Sequence, residues 1–311
     1  MTGTHAKSQP VMFSVLIGLV STTDRGRILE TLDSLRRQDG AHSYEVIIGD
    51  RRNDDISRKI EETYPDALLI PCPSHTALPE LRTAALDRAL GQYIVVTEDH
   101  CVPAGDWLDS IARAFRAAPA GTVAVGGCVE NGVPDTALDW ATFFCEYGSF
   151  LAPVTEGVCA HLPGMNVAYD RSALQNLDRS LLSGGFWETT VHPVLLKAGK
   201  TLVSSNSITV FHCKKFSFGL FARQRFIYSR YYAGLRFGRG QRMRNVIAFA
   251  ATPLLPVLLL YRMFRQIRAK NRFRAELISA LPWLATFVLI WALGEMVGYA
   301  LGAGDARTRI E

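Results

Sequence analysis

The chain has 311 residues, 48% of them hydrophobic, enough for one sizeable α/β domain plus a more apolar region. Its net charge of +5 hides two halves of opposite sign: residues 1–210 hold 17 Lys+Arg against 25 Asp+Glu, and residues 211–311 hold 17 against 4. Two long apolar stretches inside the basic half favour an anionic lipid surface over nucleic acid as its partner, and six scattered cysteines without CxxC pairs exclude a disulfide scaffold.

The chain opens with the polar stretch Met1–Pro10, which lacks the pattern of a signal peptide. Reduced thiols and a cytoplasmic catalytic part are therefore expected. Met12–Val20 is a short, β-branched-rich run, and Ser21 to Asp24 offer N-cap residues before Ile28, Leu29, Leu32 and Leu35 at helical spacing. Tyr44–Asp50 is a second apolar run, followed by the polar Arg51–Asp55 and a helix over 56–64. A third strand is predicted over 67–72 and a helix over 79–90, closed by Gly91. The run Gln92–Thr97 then ends in Glu98-Asp99-His100.

Strands and helices alternating at these lengths predict a mostly parallel, doubly wound sheet. Its ligands bind outside the carboxyl ends of the strands, where Ser21, Asp50 and Glu98 to His100 all fall. Three adjacent ligand-bearing side chains at a strand end build a poor core and a good cation and diphosphate site. Asp50 reads either as a turn residue or as an acceptor for a nucleobase imide. Arg82 reads as a solvated helix residue or a diphosphate contact. Glu188 follows Gly184-Gly185-Phe186-Trp187, a setting that would raise a carboxyl pKa toward the value a general base needs. The alternative is a first-turn glutamate favoured by the helix dipole. His192, four residues on, is the substitute base or a core histidine. Glu146, Tyr147 and Asn166 are candidates for the acceptor side, with packing and turn roles as the alternative.

Four segments in order resemble the family 2 glycosyltransferases: EVIIGDRRNDD (45–55), LRTAALDRALGQYIVVTEDHCVPAGDWL (81–108), HLPGMNVAYDRSAL (161–174) and GGFWETTVHPVLLKAG (184–199). The resemblance runs from about Phe13 to about Ala233. It implies a GT-A fold, a nucleotide-sugar donor (a UDP-sugar here) and an inverting, metal-dependent transfer with Mn²⁺ or Mg²⁺. On that pattern Asp50, Arg82, Glu98 and Asp99 bind the donor, His100 and Asp99 the metal, and Glu188 is the base. The family's Asp-x-Asp is Glu98-x-His100 here, and an imidazole suits Mn²⁺ better than Mg²⁺. The Gln-x-x-Arg-Trp of processive members is replaced by QRFIY at 224–228, which argues against polymer synthesis.

Residues 211–244 interleave cations with aromatics, as an interfacial segment on anionic lipid does. In 245–311, the segments 246–261 and 277–302 are apolar, the first short for a span and the second ample. The expected organisation is a catalytic domain over 1–210, a basic aromatic segment over 211–244 and a membrane region over 245–311. The expected protein is a transferase at the inner membrane, its catalytic domain cytoplasmic, acting on a lipid-linked or membrane-proximal acceptor. The alternatives are a non-catalytic protein that binds nucleotide sugar or lipid as an assembly partner, and a sugar-phosphate nucleotidyltransferase. The second wants a Gly-rich, cationic phosphate loop after the first strand, and residues 18–25 offer little of it.

Overall fold

The computed structural model describes residues 10–21, 27–183, 185–237 and 241–309. The expected N-cap residues Thr22, Thr23 and Asp24 lie outside this set. In chain order the elements begin β1 (Phe13–Leu19), α1 (Arg27–Arg36), β2 (Tyr44–Asp50), α2 (Asp55–Thr63), β3 (Ala67–Pro71), α3 (Leu78–Leu86), β4 (Tyr93–Glu98), β5 (Cys101–Pro103) and α4 (Trp107–Ala117). They continue with β6 (Thr122–Asn131), α5 (Ala137–Tyr147), β7 (Gly157–Cys159), β8 (Val167–Asp170), α6 (Arg171–Gln175), α7 (Arg179–Ser183), α8 (Glu188–Lys197) and β9 (Thr201–His212). The remaining helices are α9 (Phe218–Arg236), α10 (Arg242–Ala251), α11 (Leu255–Ala269) and α12 (Arg274–Leu301).

The chain forms two compact units: Met1–Cys128 with Val154–Phe211, and Val129–Pro153 with His212–Glu311. The first carries a mixed sheet in the order β3-β2-β1-β4-β8-β6-β9-β5, with β7 paired to β9. The four strands β3, β2, β1 and β4 run parallel, whereas β8 lies antiparallel to β4 and to β6. Every residue of β1 is buried, which is why it reads as an unbroken apolar run and not as an alternating one.

The parallel register brings the strand ends to one edge. Gly18 of β1 pairs with Gly49 of β2 on one side and Glu98 of β4 on the other, and Leu19 pairs with Asp50. The two glycines let α3 lie against the sheet. A Cβ on Gly49 would fall 2.6 Å from the Leu81 carbonyl oxygen, and one on Gly18 would strike the Leu78 side chain. This close approach sets the next residue, Arg82, over the acidic end of β4.

In the second unit, α5 opens with a Thr136/Asp139 capping box, and α9 is capped by Ser217. The apolar segment expected over 246–261 is longer than read. Together α10, a 3₁₀ turn at Thr252–Leu254 and α11 make a continuous 28-residue helical run, Arg242–Ala269. Pro253 and Pro256 do not break it because each sits at the opening of its helical piece, where the missing N–H has no helical partner to lose. The second apolar helix, α12, is also 28 residues.

Candidate active site

The strand edge of the first unit gathers most of the predicted residues into one hydrogen-bonded cluster. Arg82 is almost fully buried; its Nη2 donates to Glu98 Oε1 at 3.1 Å and its Nη1 lies 3.6 Å from Glu188 Oε2. On the far side of Glu98, Oε2 stands 3.2 Å from His100 Nε2. The cluster therefore reads Glu188, Arg82, Glu98, His100, a row of alternating charge. Glu188 reaches it because the chain before α8 is tied to the start of α3. The Phe186 N–H donates to the Pro79 carbonyl at 2.9 Å, and the Thr83 hydroxyl donates to that of Leu182 at 2.9 Å.

Asp99 faces the backbone at the end of β1. Its Oδ2 accepts from the backbone N–H groups of Val20 and Ser21 at 2.8 and 2.7 Å. Its Oδ1 accepts from the Ser21 hydroxyl at 2.7 Å and meets His100 Nδ1 at the same distance. This carboxylate has four hydrogen-bond partners and is 1% exposed. Burial alone would push its pKa up, but His100 and the Ser21 groups hold it well below the usual carboxylate range. Burial likewise disfavours charge on His100, yet its hydrogen bonds to Asp99 and Glu98 raise its pKa above the ordinary imidazole value.

Glu188 is the first residue of α8, whose N-cap Trp187 supplies no side-chain cap. Its Oε2 is buried and lacks a hydrogen bond. Burial raises its pKa, and Arg82 pulls the other way. The carboxylate occupies the place where a Cβ of residue 164 would stand, so only glycine at that position lets it lie there.

Asp50 is 2% exposed at the end of β2. Its Oδ1 accepts from the Arg52 and Asn53 N–H groups at 2.7 and 3.2 Å; Asn53 takes the left-handed φ of 47° that this turn requires. Its Oδ2 has no hydrogen bond among the described residues.

Four further predicted residues have partners of their own. Asn166 is a fully buried cross-brace: its Oδ1 accepts from Trp107 Nε1 at 2.7 Å, and its Nδ2 donates to the Cys128 and Ile208 carbonyls at 2.7 and 3.0 Å. Three of the four hydrogen bonds this amide can make are thus to the protein itself. His192 is 2% exposed, with Nε2 2.7 Å from the Tyr169 hydroxyl; burial, with a smaller push from His161, lowers its pKa to about 4. Glu146 belongs to the second unit and accepts from Arg225 at 2.7 Å. Tyr147, in the same unit, packs against the His212 ring at 4.6 Å between centroids.

Sequence reasoning missed the supporting residues. Gly18 and Gly49 leave only a weak signal, a glycine inside an apolar run. Ser21 was noted as a cap, and its actual task is to hold Asp99.

The sequence profile of Glycosyl transferase family 2 matches residues 20–178. The fold is similar to that of mannosyltransferase PcManGT from Pyrobaculum calidifontis in complex with GDP-Man and Mn²⁺, with a TM-score of 0.57 at 17% identity over 94% of this chain and 88% of that one. It is also similar to S. aureus TarS 1–349 in complex with UDP, with a TM-score of 0.48 at 14% identity over 94% of this chain and 92% of that one. No curated protein matches the chain. The sheet order and the PcManGT likeness agree on a GT-A-like architecture.

Proposed function

Because this chain belongs to glycosyl transferase family 2 and is a nucleotide-sugar-dependent transferase, we propose that it performs a single inverting displacement with Glu188 as general base. The observation that carries this reading is the Glu188 carboxylate: half-buried, without a hydrogen bond at its buried Oε2, raised in pKa and ion-paired to Arg82 at 3.6 Å. The acceptor hydroxyl oxygen attacks the anomeric carbon while its proton passes to Glu188. The bond from that carbon to the diphosphate oxygen breaks, and the nucleoside diphosphate departs. A base so placed contributes roughly 10²- to 10⁴-fold in rate.

Arg82 restrains the rise in Glu188's pKa, which favours the ionised form that a general base uses. It also fixes Glu98.

Glu98 and His100 offer one oxygen and one nitrogen 3.2 Å apart, and the Asp99 carboxylate on Nδ1 turns Nε2 toward Glu98, the carboxylate–histidine arrangement that supports a metal ligand. This mixed donor set fits Mn²⁺ better than Mg²⁺. A divalent cation held there supplies Lewis-acid stabilisation of the departing diphosphate. The role we assign to Asp99 is therefore to orient His100.

A UDP-sugar is the donor we favour. Asp50 Oδ1 already takes two backbone N–H groups, leaving one oxygen to accept one imide N–H, as uracil presents; guanine's two adjacent donors would want both oxygens.

Two 28-residue apolar helices and the basic half of the chain support attachment to the cytoplasmic face of the inner membrane, hence a lipid-linked or membrane-proximal acceptor.

Release of nucleoside diphosphate from a panel of nucleotide sugars, with Mn²⁺, Mg²⁺ or EDTA, tests the proposal. Expected is Mn²⁺-dependent release from one UDP-sugar, lost in His100→Ala and in Glu188→Gln while donor binding persists in the latter. Full turnover in Glu188→Gln would refute the base assignment.

A further inference from the structure

We infer that neither apolar helix crosses a bilayer and that the second unit docks on one leaflet of an anionic membrane, with α10–α11 and α12 on the side they entered from. This rests on the membrane attachment proposed above and fixes its form.

By length both helices could cross. At about 1.5 Å per residue, 28 residues exceed the roughly 30 Å of a hydrocarbon core. What forbids it is the company α12 keeps. Helix α9 lies beside it and parallel to it. Phe221 packs on Phe287 with centroids 4.5 Å apart, Gly294 meets Phe226 and Ser229, Gly298 meets Arg230 and Ala233, and Gly234 meets Gly302 and Ala303. The near-constant offset means that any membrane depth assigned to α12 is also assigned to α9.

Helix α9 cannot take that depth. It carries Arg223, Arg225, Arg230 and Arg236 and no acid. Arg223 is exposed, and it sits at the level of α12's middle. Beside it, Arg225 is paired to Glu146 of α5 at 2.7 Å with its guanidinium 5.0 Å from the Trp291 ring. One turn further, Glu295 of α12 itself is paired to Arg236 at 3.1 Å. A crossing centred on α12 would carry the exposed Arg223 and the end of α5 to the level of the hydrocarbon centre, where a charge that faces lipid is strongly disfavoured. The burial pattern agrees, for Leu277, Ala280, Leu284, Phe287 and Val288 are at most 2% exposed. These residues form the face that α12 packs into its unit, while Ile278, Leu289, Leu293 and Leu301 on its other side are half or more exposed.

Nor can α10–α11 cross alone. Residue 242 follows closely on α9, whose end lies against the end of α12, and α11 passes into α12 through residues 270–273. Were the two ends of α10–α11 on opposite faces, α12 would have to cross back to bring Ala303 to Gly234. Both cross or neither does.

Open apolar surface remains on α12 and, most continuously, on α10–α11, where Val246, Ile247, Leu254, Val257 and Leu258 are all more than half exposed. Arg242 and Arg244 stand at one end of this stretch and Arg262, Arg265 and Arg268 at the other. Cations at both ends of an in-plane apolar helix meet the anionic headgroups of a single leaflet.

The test uses the full chain in bacterial membranes, with a cysteine introduced singly at Asn176 in the first unit, at Arg268 at the end of α11, or appended after Glu311. Sealed right-side-out and inverted vesicles are labelled with a membrane-impermeant maleimide and read against the native cysteine background. Expected is labelling of all three from the same face. Labelling of Arg268→Cys from the face opposite the appended cysteine overturns the inference. Recovery of active enzyme wholly in the soluble fraction also overturns it, yet leaves the transferase reading standing, which only the turnover assay decides.

Discussion

Arg82 holds Glu188 through Nη1 at 3.6 Å while its Nη2 donates to Glu98 at 3.1 Å. One buried cation thus serves the proposed base and the proposed metal carboxylate at once. Removing it as Arg82→Met takes away the influence that opposes burial at Glu188. The Glu188 pKa then rises, and the acidic limb of the kcat/KM pH profile moves to higher pH. Because two carboxylates lose their partner, stability falls by about 3 kcal/mol. Arg82→Lys restores most of the profile; an unmoved limb in Arg82→Met would separate the two residues.

The place of the Glu188 carboxylate depends on the absence of a side chain at Gly164. Since the far end of a glutamate is flexible, Gly164→Ala should fold. It should displace the carboxylate and lower kcat by about 10- to 100-fold, as misplacement of a reacting group by an ångström does. The donor Kd, measured by calorimetry with nucleoside diphosphate, should not change.

Asn166 makes the opposite forecast. Its substitution by Ala strands the Trp107 indole N–H and the Cys128 and Ile208 carbonyls, at about 1–3 kcal/mol for a buried unsatisfied group. Thermal denaturation should show a clear drop in Tm with acceptor KM unchanged at a temperature where the variant is folded. A changed KM with normal Tm would return Asn166 to the acceptor side.

His192 gives the fold a pH dependence. Its folded pKa of about 4 lies below the unfolded value near 6.5, so the unfolded chain binds the proton more readily. Its contribution is full above pH 6.5 and is lost as pH falls toward 4, up to about 3 kcal/mol in all. Urea midpoints measured from pH 7 to 4 should fall more steeply for the native chain than for His192→Gln.

How much of this was legible in the sequence follows from the range of each interaction. The strands β1, β2 and β4 are continuous apolar runs whose ends carry the polar residues, so sheet, edge and acidic cluster are all read locally. Glu188 is legible too, from its aromatic and glycine surroundings. Asp99 and Asn166 are not. The three residues of Glu98-Asp99-His100 look equivalent in one dimension, but the fold turns the middle one inward to the backbone at Val20 and Ser21, 79 and 78 positions away. The partners of Asn166 lie 38, 42 and 59 positions distant. The first apolar segment reads as short because hydropathy ends where the arginines begin, whereas the helix runs on through them from Arg242 to Ala269.

The glycines at 234, 294 and 298 bring the backbones of α9 and α12 into contact, which bears on how this enzyme is handled. Cutting the chain after Arg244 to obtain a soluble transferase would remove the surface that covers Phe221, Ile227 and Ala233 and leave α9 as an adhesive strip. A well-behaved shorter chain must give up α9 as well, and with it the Arg225 partner of Glu146. Detergent or nanodisc purification of the whole chain is the sounder route to its kinetics.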